Sequence, residues 1–151
     1  MSSGQRPGPS RSAFPPHGAV EQAVAAVPGG CIVYIDATGP FNREMVDRIR
    51  EIHTPTFRDA ASRGPFGHIS TFHASMLATP DAFTAFGALL TEWKAMGILP
   101  MASAYVVAPG VEGKTIVEAH YRRAWEGIPF EIFERRDEAE AWIAGVMAGA
   151  P

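Results

Sequence analysis

The chain has 151 residues, 46% apolar and 19% charged, with a net charge of −3. A chain of this length forms one domain burying roughly 70% of its unfolded surface, so disulfide or metal staples are unnecessary, and its composition excludes the polar, highly charged class of disordered chains. The acidic balance gives phosphates no field to follow and excludes an electrostatic nucleic-acid binder, while a single cysteine, Cys31, excludes an internal disulfide.

Cys31 without a partner suits a reducing compartment. No apolar leader opens the sequence, and no run approaches the ~18 apolar residues of a membrane span. The expectation is a cytoplasmic protein with no membrane span.

Residues 1–17 (MSSGQRPGPSRSAFPPH) are rich in Ser, Gly and Pro. That composition predicts a flexible tail, which Phe14 would be placed to dock, followed by a single domain over residues 18–151. Ala19–Val27 has the alanine content of a helix, but Val20 and Val24 ahead of Pro28-Gly29-Gly30 favour the first arm of a hairpin. Cys31 to Ile35, β-branched and aromatic and apolar on both faces, is the clearest strand; Gly39-Pro40 ends it.

Asn42 is a good N-cap for an amphipathic helix carrying Met45, Ile49 and Ile52. That helix is expected to stop near Thr54-Pro55, with Thr54 capping a further short turn through Ala61. Phe66–His73 alternates, with Phe66, His68, Ser70 and Phe72 on one side and Gly67, Ile69, Thr71 and His73 on the other. Thr79-Pro80-Asp81 then starts a helix bearing Phe83, Phe86, Leu90 and Trp93, which Gly97 ends.

Residues 101–108 form the next strand, closed by Pro109-Gly110. Thr115 and Glu118 have capping-box spacing ahead of a helix through Trp125, terminated by Gly127. Phe130–Phe133 is a short strand, and Asp137 with Glu140 repeats the capping signature before a helix bearing Ala139, Trp142, Ile143 and Val146. The tryptophans all fall on these helices and are expected to pack onto the sheet. The alternation predicts an α/β fold: an open mixed sheet of about five strands, the later ones parallel, with about four helices packed on it.

Particular residues carry a resemblance. Ile35-Asp36-Ala37-Thr38-Gly39-Pro40-Phe41-Asn42 resembles the Gly-Pro-Phe-Asn turn of the SpoIIAA-like proteins, relatives of the STAS and SEC14-type domains. Phe130-Glu131-Ile132-Phe133 running into Ala139-Glu140-Ala141-Trp142-Ile143 is similar to that group's closing strand and helix. The resemblance implies the fold already described and, as function, a protein-interaction module, a small-molecule or nucleotide binder, or a lipid carrier. It also implies a regulatory serine after the middle strand. The group's Asp-Ser-x-Gly motif is missing here, leaving Ser75 as the nearest candidate phosphosite, where an ordinary loop serine is the simpler reading.

Little chemistry stands out. There is no P-loop and no Gly-x-Ser-x-Gly elbow. Asn42 and Arg43 suit a weak anion site at a helix N-terminus, although capping alone explains Asn42. Asp36 ends the core strand, where open α/β sheets commonly place ligands, but it also suits a turn before Thr38-Gly39. No histidine or cysteine spacing suits a metal, and no cofactor is expected; His68 and His73 fall on opposite faces of one strand.

The reading that follows is a non-catalytic binding or regulatory module. The number of aromatics and methionines suggests a homodimer. The alternative is a carrier of a small hydrophobic ligand in a pocket lined by Phe83, Phe86 and Trp93. A small enzyme would need Asp36, His68, His73 and Ser75 to converge in one cluster.

Overall fold

A computed structural model of the chain describes residues 18–149. The segment expected to be a tail, residues 1–17 with Phe14, lies outside the described residues, as do 150 and 151.

The strands β1 (Ala19–Val27), β2 (Gly30–Thr38), β3 (Phe66–His73), β4 (Ala102–Val107) and β5 (Phe130–Phe133) form one sheet in chain order. β1 and β2 form the antiparallel hairpin expected from Pro28-Gly29-Gly30, and every later pairing is parallel. The crossovers are α1 (Arg43–Arg63), α2 (Pro80–Ala95) and α3 (Lys114–Ala124); α4 (Arg136–Ala148) closes the described chain.

The period-2 alternation of the strands divides the interior into two layers. Val33, Ile35 and Ala37 of β2, Phe66 and Phe72 of β3, and Tyr105 and Val107 of β4 face α1, α2 and α3. Ile32, Ile69, Ala104 and Val106 face the opposite way, onto Ala139, Ile143 and Met147 of α4. Coverage on both faces explains why β2 and β4 read as continuous apolar runs. Gly67 lets α4 come close: a Cβ there would lie 2.6 Å from Cγ2 of Ile143.

Three helix boundaries differ from the expectation. α1 does not stop at Thr54-Pro55 but continues as one 21-residue helix to Arg63. Pro55 removes the N–H that would bond the carbonyl of Glu51, and both residues lie on the exposed side, where water replaces the lost partner. The buried stripe of Met45, Val46, His53, Phe57 and Ala60 runs straight through it. Thr54 is no cap; its Oγ1 accepts a hydrogen bond from Trp93 Nε1 at 2.9 Å.

α3 starts at Lys114 behind Gly113, whose φ of 92° suits glycine, and a Cβ there would meet Leu77 Cδ2 at 2.6 Å. Thr115 is therefore inside the helix, and Glu118 pairs with Lys114 and Arg122. Arg135, not Asp137, stands at the N-cap position of α4, with no side-chain capping bond. Asp137 sits in its first turn, where it pairs with Arg135.

Candidate functional site

Between the sheet and the three helices on its first face, packing is incomplete. A cavity of about 70 Å³ remains there, less than half the roughly 150 Å³ of a cavity that takes benzene. The sheet forms its floor through Ile35, Phe72 and Tyr105, and α1 and α2 wall it with Phe57, Phe83 and Trp93. Phe86, expected with Phe83 and Trp93 to line a pocket, also borders it.

The aromatic wall follows from the sequence. Phe83, Phe86 and Trp93 recur at helical spacing on α2, and Phe72 and Tyr105 are inward positions of adjacent strands. Phe57 and Trp93 meet with ring centroids 4.6 Å apart, and Phe72 and Tyr105 at 4.7 Å. Rings crossing at such tilts leave gaps that branched aliphatic side chains would fill.

The few polar groups on this wall are nearly all committed. His68, 2% exposed, has Ser103 Oγ 2.7 Å from Nδ1 and Ser70 Oγ 2.7 Å from Nε2. Burial, helped by nearby His53, pushes its pKa down to about 3, so the ring is neutral: one serine donates to it while the other accepts. Trp125 Nε1 donates to the Tyr105 hydroxyl at 2.8 Å, and the Tyr121 hydroxyl donates to the carbonyl of Met76 at 3.2 Å. Burial raises both tyrosine pKa values, so both hydroxyls stay protonated.

His53 is the exception. It is 0% exposed, and its Nδ1 lies 2.8 Å from Oε1 of Gln22 on β1. Its Nε2 is buried with no hydrogen-bond partner. Burial takes the pKa of the ring down to about 4.

The residues singled out from the sequence lie elsewhere. Asp36 and His73 pair at 2.8 Å, both about half exposed, on the α4 side of the sheet, because Ala37 and Phe72 take the other face. Asn42 Oδ1 accepts from the Met45 N–H at 3.0 Å and so caps α1, and Arg43 is exposed with no ion pair among the described residues. Ser75 is 3% exposed, and its Oγ accepts from the Leu77 N–H at 3.0 Å.

The junction before α1 is a structural latch. Gly39 N–H donates to the His73 carbonyl at 3.2 Å and Phe41 N–H to that of Leu77 at 2.9 Å. A Cβ on Gly39 would lie 2.0 Å from the Ser75 carbonyl oxygen, so only glycine allows this approach.

Asp36, His68, His73 and Ser75 therefore do not converge. One pair sits at the sheet end, His68 lies on the opposite face, and Ser75 is spent on its own turn. No group of three or more His, Cys, Asp or Glu side chains is placed to hold a metal among the described residues. No helix among them is long and apolar enough to cross a membrane.

Many of the aromatics and methionines whose number suggested a second copy are used internally. Met45, Met76, Met147, Trp93 and Trp125 are all buried. The large exposed hydrophobics among the described residues are Val24, Met96 and Ile116, which belong to β1, the end of α2 and α3.

Sequence reasoning missed His53 and Gln22. The signal was present: Met45, Ile49, His53 and Phe57 step by four along one helical stripe, but ending the helix at Pro55 cut Phe57 off and hid what His53 packs against.

No family model matches the sequence, and no curated protein matches it. The structure is similar to that of an uncharacterised protein of the DUF3478 family from Shewanella loihica PV-4. The likeness covers 89% of this chain and 99% of that one, with a TM-score of 0.54 and 14% identity. That protein has a SpoIIAA-like fold, and so has this one.

Proposed function

We propose that the chain is a non-catalytic binding module whose ligand is a small, largely apolar molecule held between the sheet and α1, α2 and α3. The observation that carries this reading is the aromatic-lined cavity of about 70 Å³ within the core. Empty core volume costs roughly 24 cal/mol per Å³, so such a space withholds on the order of 2 kcal/mol that an occupant returns. Apolar walls with very few polar groups are also how small-molecule sites are built.

Charge supports a neutral ligand. No Asp, Glu, Lys or Arg lines the cavity, so a charged molecule would lose its hydration without gaining a counter-ion. Of the readings drawn from the sequence, the hydrophobic-ligand carrier fits this geometry best.

The test is extraction of the purified protein with organic solvent followed by mass spectrometry, with thermal shifts measured on a panel of small apolar compounds. A single co-purified molecule near one equivalent, or a saturable rise in Tm, supports the proposal. An empty extract together with no shift from any compound overturns it.

A further inference from the structure

We propose that the outer edge of β1 is an interaction surface whose partner is a second copy of this chain. Two β1 strands join antiparallel about a two-fold axis and make the two five-stranded sheets one. The inference is independent of the cavity and of what fills it.

An edge strand offers a row of unpaired N–H and C=O groups, and chains that stay single blunt it with prolines, charges, bulges or shortness. β5, at the opposite edge, has only four residues. β1 has nine, with no proline and one charge, Glu21, and no bulge interrupts its pairing with β2. Val24 points the same way as the buried Val33 opposite it, yet is 49% exposed, so α1 leaves this margin open.

The turn Pro28-Gly29 closes on the pair Val27–Gly30, and antiparallel pairs alternate in their bonding. Ala19, Glu21, Ala23, Ala25 and Val27 therefore spend their backbone groups on β2, while Val20, Gln22, Val24 and Ala26 turn theirs outward. Among the described residues no other backbone group bonds to those four.

One register lets two copies satisfy each other. With the axis between the two Ala23 residues, Val20 pairs with Ala26 of the second copy and Gln22 with its Val24, so all four outward residues of each chain are used. Glu21 then faces Ala25, and the two glutamates lie about 13 Å apart along the seam, beyond the screening length at physiological salt. Sliding two residues one way sets Val20 against Pro28, which has no N–H to give. Sliding two the other way brings the glutamates to roughly 7 Å.

Size-exclusion chromatography with light scattering on the full chain tests this at about 100 µM, where a Kd below that value shows mainly as dimer. The unaltered chain is expected at twice its monomer mass. Val24→Pro removes one outward N–H, leaves the β2 ladder whole and is expected to give a monomer. Ala23→Lys, which sets two ammonium groups face to face at the axis, is expected to do the same. Opposed Ala23 residues have Cα atoms about 4.5 Å apart, within disulfide range. Ala23→Cys should therefore cross-link to its copy under mild oxidation and Ala19→Cys should not, while Cys31 is buried and stays out of the reaction. A monomeric unaltered chain would overturn the proposal, as would a dimer that survives both substitutions or an Ala19→Cys chain that cross-links as readily as Ala23→Cys. If Val24→Pro does not fold, Ala23→Lys and the cross-linking pair decide.

Discussion

Gln22 on the edge strand and His53 on the first helix lie 2.8 Å apart, Oε1 to Nδ1, and this one bond determines which nitrogen of the imidazole faces the interior. The second hydrogen bond of Gln22, to the carbonyl of Ile52, fixes the amide so that the choice has one outcome. A residue on the rim thus sets the chemistry of a buried one.

Replacing His53 with Phe is expected to leave the ligand-free protein as stable or more stable, by about 1 kcal/mol, because a bare buried acceptor disappears and Gln22 turns to water. Calorimetry should show Tm unchanged or raised by roughly 2–4 °C. A loss of more than about 1 kcal/mol would mean that Nε2 holds a strong hydrogen bond in the free protein.

Stability should fall in mild acid. His53 and His68 have folded pKa values of about 4 and about 3, against an ordinary value of 6.5. Below 6.5 the unfolded chain binds protons that the folded chain refuses, so the stabilisation is complete above that pH and drains away as pH falls toward 4. The slope approaches ~2.7 kcal/mol per pH unit for two such groups, and about half that once His53 charges in the folded state. Urea midpoints between pH 8 and 4 measure it, and His53→Phe should remove one histidine's share. A midpoint that is flat from pH 7 to 5 contradicts the burial of both rings.

Phe83 borders both the cavity and a wider groove between α2 and α3 that includes His120 and Arg123. Phe83→Ala should join the two, speeding ligand exchange about tenfold while costing roughly 2 kcal/mol of stability, less than a fully buried phenylalanine costs. Exchange broadening in NMR reads the first effect and denaturant titration the second. Unchanged exchange would place the way in elsewhere.

On the other face, Gly67→Ala should cost about 1–3 kcal/mol by driving α4 outward. The clash is with Ile143 Cγ2 at 2.6 Å, so combining it with Ile143→Ala should cost less than the two separate losses added together. Simple additivity in chemical denaturation would show that α4 already accommodates the extra methyl.

Much of this architecture was legible because local chemistry and global packing agree. Thr79 caps α2 through the Ala82 N–H, and β5 runs from Phe130 to Phe133, both as their residue types suggest. Pro55 misled because its cost depends on where the unpaired carbonyl points, which no spacing reveals. Thr115 and Asp137 had capping chemistry, but an αL glycine contacting Leu77 and an Arg135–Asp137 pair set the true starts. The candidate site was half legible: α2's aromatics were readable as a wall, whereas His53 acquires its meaning from Gln22, 31 residues away, and from what fails to reach its far nitrogen.

The measurement that bears most directly on the account is a set of isotope-filtered intermolecular NOEs from a bound small apolar compound. The account predicts contacts from its protons to Phe57, Phe72 and Trp93 side chains. Contacts confined to Thr84, Lys94 and Arg123 of the outer groove would contradict it.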